Sequence, residues 1–208
     1  KCFNVFIGKY AGQFVTGEKN ISIGCCAGAG SSTPADNTGS CNIGIGKGAG
    51  ACMTTAGSNV LIGCKAGNQI TEGTGNVALG PLALGSGLTT GVCNIAIGLA
   101  AAACQSTGSD NIALGCQAIG VGTTTGSQNV GIGKGAGEDL TSGLTNVMIG
   151  CGAGKQTTSG CSNIAMGHTA LEGATTQCFN IAIGFGALQT ATTSAHCNVA
   201  IGTCALGR

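Results

Sequence analysis

The segment Asn-Ile-Ala-Ile-Gly-Phe-Gly-Ala-Leu at residues 180–188 is one copy of a motif that decides the fold of this chain. Its first five residues recur as Asn-(Val/Ile)-x-(Ile/Leu/Met)-Gly throughout the sequence. The twelve copies begin at Asn4, Asn20, Asn42, Asn59, Asn76, Asn94, Asn111, Asn129, Asn146, Asn163, Asn180 and Asn198. Successive copies are 17 or 18 residues apart, except for intervals of 16 and 22 near the N-terminus. We therefore interpret residues 1–208 as a single repeat domain with uncapped ends.

The repeat has several nearly constant columns around this motif. With Asn as position 0, Gly occupies +4 and Ala occupies +7 in every copy, and +1 is always Val or Ile. Position −5 is Thr or Ser in nine of the eleven copies that follow another copy, and −3 is usually Gly. A period of 17 or 18 residues is too short for helix-pair repeats, which need about 33 or more. It matches one coil of a β-solenoid.

Each copy has the pattern of one short strand between two turns. Apolar residues at +1 and +3 alternate with a mostly small residue at +2, which is strand periodicity. The Gly at +4 permits a sharp bend, and the Thr-Thr-Gly before each Asn is typical of a second turn. We predict an all-β fold, a single β-solenoid (β-roll or β-helix) of about 12 coils of 17–18 residues, with no helical domain. By strand parity, +1, +3 and −1 are expected to point into a thin core.

The composition excludes several classes of protein. There are 41 Gly among 208 residues, and charged residues make up 7% of the chain with a net charge of +1. This charge gives no basis for binding nucleic acid or an acidic membrane surface. No stretch reaches the roughly 18 apolar residues of a membrane span. Collagen is excluded because there is no Gly-X-Y period, and regular aliphatic residues argue against disorder.

The asparagine column is predicted to be structural. Asn tolerates turn geometry and bonds the backbone of its own turn, and stacked coils would bring the twelve amides into a ladder. The alternative is a row of amides that bind a ligand. The segment 20–22 also matches the N-glycosylation sequon. Because Asn20 belongs to the ladder, we interpret that match as coincidence.

The motif, together with Thr-Thr-Gly before the next Asn, resembles the head repeats of trimeric autotransporter adhesins. It is also similar to repeats of phage and bacterial fibre proteins, most closely at residues 180–188 and 89–101. The resemblance covers the whole chain. It implies a β-roll or β-helix, an extracellular, cell-surface or virion-surface location, and often a trimer. Adhesin head repeats are generally shorter than this one and poor in cysteine.

The sequence offers no set of residues for catalysis. His168 and His196 have no consistent acidic partner, and the carboxylates lie mainly in turns. The two Gly-Ile-Gly-Lys-Gly-Ala-Gly strings at 44–50 and 131–137 lack the Ser or Thr that follows the lysine of a phosphate loop. Calcium-binding solenoids need regular aspartates, which are absent. We expect no enzymatic activity, no cofactor and no metal site.

The fourteen cysteines predict disulfides in an oxidising compartment. Positions −1 and +10 are expected to meet across the core, and stacked residues of the −2 column meet the distance limits of a disulfide. The candidate intrachain pairs are Cys41–Cys52, Cys93–Cys104 and Cys161–Cys178. The +5 column also holds lysines and is expected to face water. Its cysteines are candidates for bonds between chains: Cys25, Cys64, Cys116 and Cys151.

Two classes of function are consistent with these patterns. The first is a structural subunit of an extracellular fibre or filament, in which the chain is a rigid rod stapled by disulfides. Such rods would form a homo-oligomer or polymer, head to tail or laterally, because exposed sheet edges invite pairing. A related alternative is an adhesin or phage-fibre shaft that binds a receptor on a host or environmental surface. The second class is an ice-binding solenoid, motivated by the Thr columns. Adjacent threonines weaken it, because they point to opposite faces of a strand.

Overall fold

The computed structural model describes residues 3–33, 36–87, 90–120, 122–189 and 196–207. These residues form one β-solenoid, as the repeat predicts, and each coil contributes one strand of three residues. The strands are β1 Val5–Ile7, β2 Ile21–Ile23, β3 Ile43–Ile45, β4 Val60–Ile62, β5 Val77–Leu79, β6 Ile95–Ile97, β7 Ile112–Leu114, β8 Val130–Ile132, β9 Val147–Ile149, β10 Ile164–Met166, β11 Ile181–Ile183 and β12 Val199–Ile201. No helix occurs among the described residues.

The twelve strands form a single parallel sheet in sequence order, from β1 to β12. Each column of the repeat lies on the same column of the next coil: Ile95 of β6 pairs with Ile112 of β7, for example. The stacking continues outside the strands, where Leu188 N donates to Ala205 O at 2.9 Å. Because the coils stack in register, every column of the sequence becomes a continuous row along the solenoid.

The strands face the opposite way from the prediction. In β6, Ala96 at +2 is fully buried, whereas Ile95 at +1 and Ile97 at +3 are 37% and 39% exposed. The same pattern holds in β2 to β12, and the expectation that +1 and +3 point into the core was wrong. Strand periodicity shows that alternate residues share a face, but it does not show which face is inside. Here the inside takes Asn at 0 and small residues at +2.

The residue at −1 also points outward, contrary to the prediction. All twelve residues at this position have φ between 54° and 69°, the left-handed region, although eleven of them are not glycine. This corner turns the chain just before the buried Asn, and it leaves Cys41 and Cys93 exposed. Left-handed backbone costs a non-glycine residue about 1 kcal/mol or more. The cost recurs in each coil because the corner is needed to bring the Asn inside.

The core is thin and is filled by matched residues at +2 and +8. Where +2 is large, +8 is Gly: a Cβ on Gly67 would lie 2.6 Å from the side chain of Leu61. Where +2 is Ala, as at Ala113, +8 is usually a larger residue such as Ile119, and both are fully buried. Where both are Gly, as at Gly131 and Gly137, the side chains of Ile119 and Met148 from the adjacent coils take up the space, in keeping with the close packing of protein interiors.

Candidate interaction surface

The outward residues of the sheet form a continuous apolar surface, which we call the aliphatic face. It consists of positions +1 and +3 of β1–β12, and all twenty-four residues are Val, Ile, Leu or Met. The most exposed are Val5, Ile7, Ile62, Ile95, Ile97, Met166, Val199 and Ile201, each more than one third exposed. The other sixteen are half-buried by their neighbours in the rows.

The aliphatic face is a large apolar surface. Twelve strands at about 4.8 Å give a length of about 53 Å, and three residues give a width of about 10 Å. The area is therefore about 500 Å², within the range of the largest apolar patches on monomeric proteins, which are often functional. It also contains no charged side chain. Such a surface is suited to bury itself against a second apolar surface.

The asparagines lie inside the coil and form a hydrogen-bond ladder. The ten asparagines of this column from Asn20 to Asn180 are each at most 3% exposed. The Asn146 backbone N–H donates to Asn129 Oδ1 at 3.0 Å, and Asn146 Nδ2 donates to the same oxygen and to Gly160 O. Because the amides are used within the solenoid, they are not displayed to a ligand. The ladder includes Asn20, so its amide is buried.

Four threonines at −5 are also used within the solenoid: Thr54, Thr124, Thr141 and Thr158. Thr54 Oγ1 donates to Thr71 O at 3.0 Å, and Thr158 Oγ1 donates to Thr175 O at 3.0 Å. These hydroxyls bond the next coil. They do not form the flat, regularly spaced array of free hydroxyls on which an ice-binding surface depends.

Charged residues form one short row at position +9. Lys155 Nζ lies 3.1 Å from Glu138 Oε2, and Gln189 Nε2 donates to Glu172 Oε2 at 2.8 Å. The hydrogen bond to Glu138, with the charges of Glu138, Asp139 and Glu172, raises the pKa of Lys155. Solvent-exposed pairs of this kind contribute about 1 kcal/mol or less to stability. The side chains of this row connect successive coils, and they lie outside the aliphatic face.

The two histidines have structural contacts. His168 stacks on Phe185 with ring centroids 5.4 Å apart, and both residues occupy +5 of successive coils. His196 Nδ1 accepts a hydrogen bond from the backbone N–H of Cys178 at 3.0 Å. Across the described ranges, no three His, Cys, Asp or Glu residues lie close enough to hold a metal ion.

The thirteen cysteines that the structure describes are free thiols. The pairs Cys41–Cys52 and Cys93–Cys104 were predicted because −1 was expected to point inward. That reasoning was wrong, since −1 lies on the outside of the left-handed corner. In the +5 column, Cys25, Cys64 and Cys151 are exposed and Cys116 is half-buried. Their bonding to another chain stays a prediction.

Cys161 and Cys178 lie in the same column of successive coils and contact each other. The Cys161 backbone N–H donates to Cys178 Sγ at 3.1 Å. The hydrogen bond between the thiols, followed by burial, raises the pKa of Cys161. Attack by a thiol on a disulfide requires the thiolate, so oxidation of this pair accelerates as the pH rises.

We expect mild oxidation at alkaline pH to join Cys161 to Cys178 and to stabilise the protein by about 3 kcal/mol, because the bond closes a short loop in the unfolded chain. Non-reducing peptide mapping and urea unfolding, with and without reductant, measure both effects. Cys161→Ser should remove this part of the redox-dependent stability. Two free thiols at these positions after oxidation would contradict the prediction.

No protein-family model, curated protein or solved structure matches this chain. None of the residues that the structure describes forms a helix long and apolar enough to cross a bilayer. The aliphatic face is the main feature that the sequence analysis missed. The sequence pattern that indicates this face is the constant aliphatic character of the twenty-four residues at +1 and +3, but the prediction placed these residues in the interior.

Proposed function

We propose that this chain is a structural rod, a subunit of an extracellular fibre, whose copies associate laterally through their aliphatic faces. The observation that carries the proposal is the uninterrupted aliphatic composition of positions +1 and +3, on the outside of the sheet. A single chain buries these twenty-four apolar residues only in part, and eight of them stay more than one third exposed in it. A second copy of the chain offers a surface of the same shape, length and period.

The area of the aliphatic face is sufficient for such an interface. Two copies packed face to face would remove about 1,000 Å² from water, which is near the lower limit of specific protein interfaces. Packed sheets lie about 10 Å apart with interdigitated side chains. Because both partners repeat at the same strand spacing, side chains of one row fit between those of the other along the whole length.

Lateral association is favoured over head-to-tail stacking by the extent of the apolar surface. The aliphatic face runs through every coil, whereas an end-to-end contact would involve one coil of each partner. The extracellular, cell-surface or virion-surface setting is supported by the resemblance to adhesin and fibre repeats. A shaft that carries a receptor-binding tip is compatible with the same lateral interface. The internal bonding of the −5 threonines gives no support to ice binding.

Two charges in the centre of the aliphatic face should prevent association. We expect Ile95→Lys/Ile97→Lys to weaken self-association about 100-fold or more, because each buried unpaired ammonium carries a large desolvation penalty. Both side chains point to solvent in the single chain, so the coil itself should remain folded. Sedimentation velocity under reducing conditions measures the oligomeric state, and circular dichroism checks the fold.

Leu144→Lys is the matched control for this experiment. Leu144 is 47% exposed but lies at −2, outside the aliphatic face. It should leave association unchanged. A wild-type protein that stays monomeric at high concentration, or a double-lysine variant that associates as the wild type does, would refute lateral assembly through this face.

A further inference from the structure

Cys25 and Cys26 are adjacent in the sequence and their sulfurs are in contact. They occupy +5 and +6 of the second coil, just after the Gly24 bend. The two Sγ atoms are 3.5 Å apart, Cys25 is exposed and Cys26 is half-buried. This is the only pair of neighbouring cysteines in the chain. The contact therefore presents a dithiol to solvent.

Two lysines lie on either side of this dithiol. Lys9 and Lys47 occupy +5 of the coils before and after Cys25. The stacking is direct, because Cys26 N donates to Lys9 O and Gly48 N donates to Cys25 O, each at 2.9 Å. Two ammonium groups on the coils next to the dithiol attract anions. The dithiol is thus flanked by two positively charged residues, in a chain that has few charged residues.

The two thiols differ in their surroundings. The hydrogen bond to Cys25, followed by burial, raises the pKa of the Cys26 thiol, while Lys47 and Lys9 act in the opposite direction. The raised pKa means that Cys26 holds its proton to a higher pH than an ordinary cysteine does. Cys25, which is more exposed, is the sulfur that an approaching molecule reaches first.

We propose that Cys25 and Cys26 form a thiol–disulfide exchange site for anionic low-molecular-weight disulfides. The Cys25 thiolate attacks one sulfur of the disulfide, forms a mixed disulfide and expels the other half as a thiolate. Cys26 then loses its proton to water and attacks Cys25 Sγ, which expels the second half. The protein dithiol is oxidised to a Cys25–Cys26 disulfide, and the small disulfide is reduced to two thiols.

The product bond would be easy to reduce. The Cα atoms of adjacent residues are about 3.8 Å apart, closer than the usual range for disulfide-bonded residues. Strained and exposed disulfides are the labile ones, in contrast to structural staples. The site is therefore one of reversible exchange. On this proposal Cys25 bonds to Cys26, so it is no longer a candidate for a bond between chains.

Peptide mapping after reaction with a coloured disulfide tests this site. The folded protein, carrying Cys41→Ser, is treated with dianionic 5,5′-dithiobis(2-nitrobenzoate), and the tryptic peptide 20–47 then contains only Cys25 and Cys26. We expect this peptide to lose two hydrogen atoms and to carry no reagent. In Cys26→Ser the reagent should remain attached to Cys25, because the resolving thiol is absent.

The role of the lysines is tested by comparing reagents on the same protein. Cys151 is the internal reference, since it is exposed, alone in the tryptic peptide 135–155, and beside a single lysine of its column, Lys134. For each reagent, the measured quantity is the rate of reaction at the dithiol divided by the rate at Cys151. At low salt this ratio should be about threefold higher for the dianionic reagent than for neutral 4,4′-dithiodipyridine, and the difference should decrease as salt is added. A stable adduct on Cys25 in the presence of Cys26, a bond from Cys25 to a second chain, or no charge preference would overturn the proposal.

Discussion

Gly115→Ala is expected to lower the free energy of unfolding by about 3–5 kcal/mol, because two separate requirements for glycine coincide at this residue. Gly115 ends β7 at position +4 with φ of 136°, a conformation that L side chains rarely adopt. A Cβ at this position would also lie 2.6 Å from the carbonyl oxygen of Gly133, the equivalent glycine of the next coil. That neighbour is backbone and cannot rotate away.

The same geometry explains why Gly at +4 is constant along the chain. All twelve of these glycines have φ between 124° and 137°. Each of the first eleven faces the backbone of the next, so successive coils approach closely at the +4 column. A side chain in this column of one coil must therefore push the following coil away and disturb the sheet between them.

Thermal and urea unfolding followed by circular dichroism measure the loss in Gly115→Ala. The matched control is Gly152→Ala: Gly152 also has positive φ, at 66°, but a Cβ there would meet only the Thr169 methyl at an ordinary 3.6 Å. Its +6 position is occupied by non-glycine residues in other coils, such as Lys65 with φ of 57°. We expect the control to cost about 1–2 kcal/mol, the cost of left-handed backbone alone. Equal losses in the two variants would show that close approach of the coils is not the cause.

Asn146→Ala is expected to cost about 3–5 kcal/mol, because it breaks the ladder on both sides at once. The Asn146 side chain accepts hydrogen bonds from Asn163 N and Nδ2 at 3.0 Å each, and it donates to Asn129 Oδ1 and to Gly160 O. After truncation, the N–H of Asn163 and the carbonyl of Gly160 lose these partners in the interior of the coil. Leaving buried groups unpaired costs more than the bonds contribute while intact.

The control for the ladder is an asparagine outside it. Asn68 is half-buried, and its side-chain oxygen has no hydrogen-bond partner in the structure. Asn68→Ala should change the free energy of unfolding by about 0.5 kcal/mol or less. Urea unfolding of both variants, with the wild type, gives the comparison. If Asn146→Ala were as mild as the control, the ladder would not be a principal source of stability.

The redox experiments separate two kinds of cysteine in this chain. The Cys161–Cys178 pair joins different coils, so its oxidation should raise stability. Cys25 and Cys26 are adjacent in one turn, so their oxidation closes almost no loop of the unfolded chain and should leave stability nearly unchanged. The two sites can thus be told apart in one protein.

Much of the architecture follows from the spacing of the repeat. The constant Asn, Gly and Ala columns, 17 or 18 residues apart, predict one strand per coil, a parallel stack in register, and rows of like residues. Spacing is sufficient for these features because a solenoid contacts only its neighbouring coils. The sharp bend at +4 was also predictable, since Gly is the residue that enters such backbone without strain.

Other features could not be obtained from the pattern. The left-handed corner at −1 is occupied by residues as different as Lys19, Cys93, Asp110 and Phe179, so no residue preference marks it. The contact between Cys25 and Cys26 depends on how the chain leaves the Gly24 bend. Whether thiols touch is a matter of side-chain direction, which spacing along the chain does not specify.

The largest difference concerns which side of the strand is the inside. Alternation at +1, +2 and +3 establishes two faces, and the usual rule assigns the larger apolar residues to the core. In the folded solenoid the opposing walls are too close for two rows of Val and Ile. The interior instead takes the mostly small residues at +2, Ala at +7 and the Asn whose side chain bonds the asparagines of both neighbouring coils and one backbone carbonyl. Coil number and register thus come from the spacing of the chain. The outward aliphatic face, and with it the interaction surface, is decided by the thickness of the core and the need to satisfy buried backbone groups.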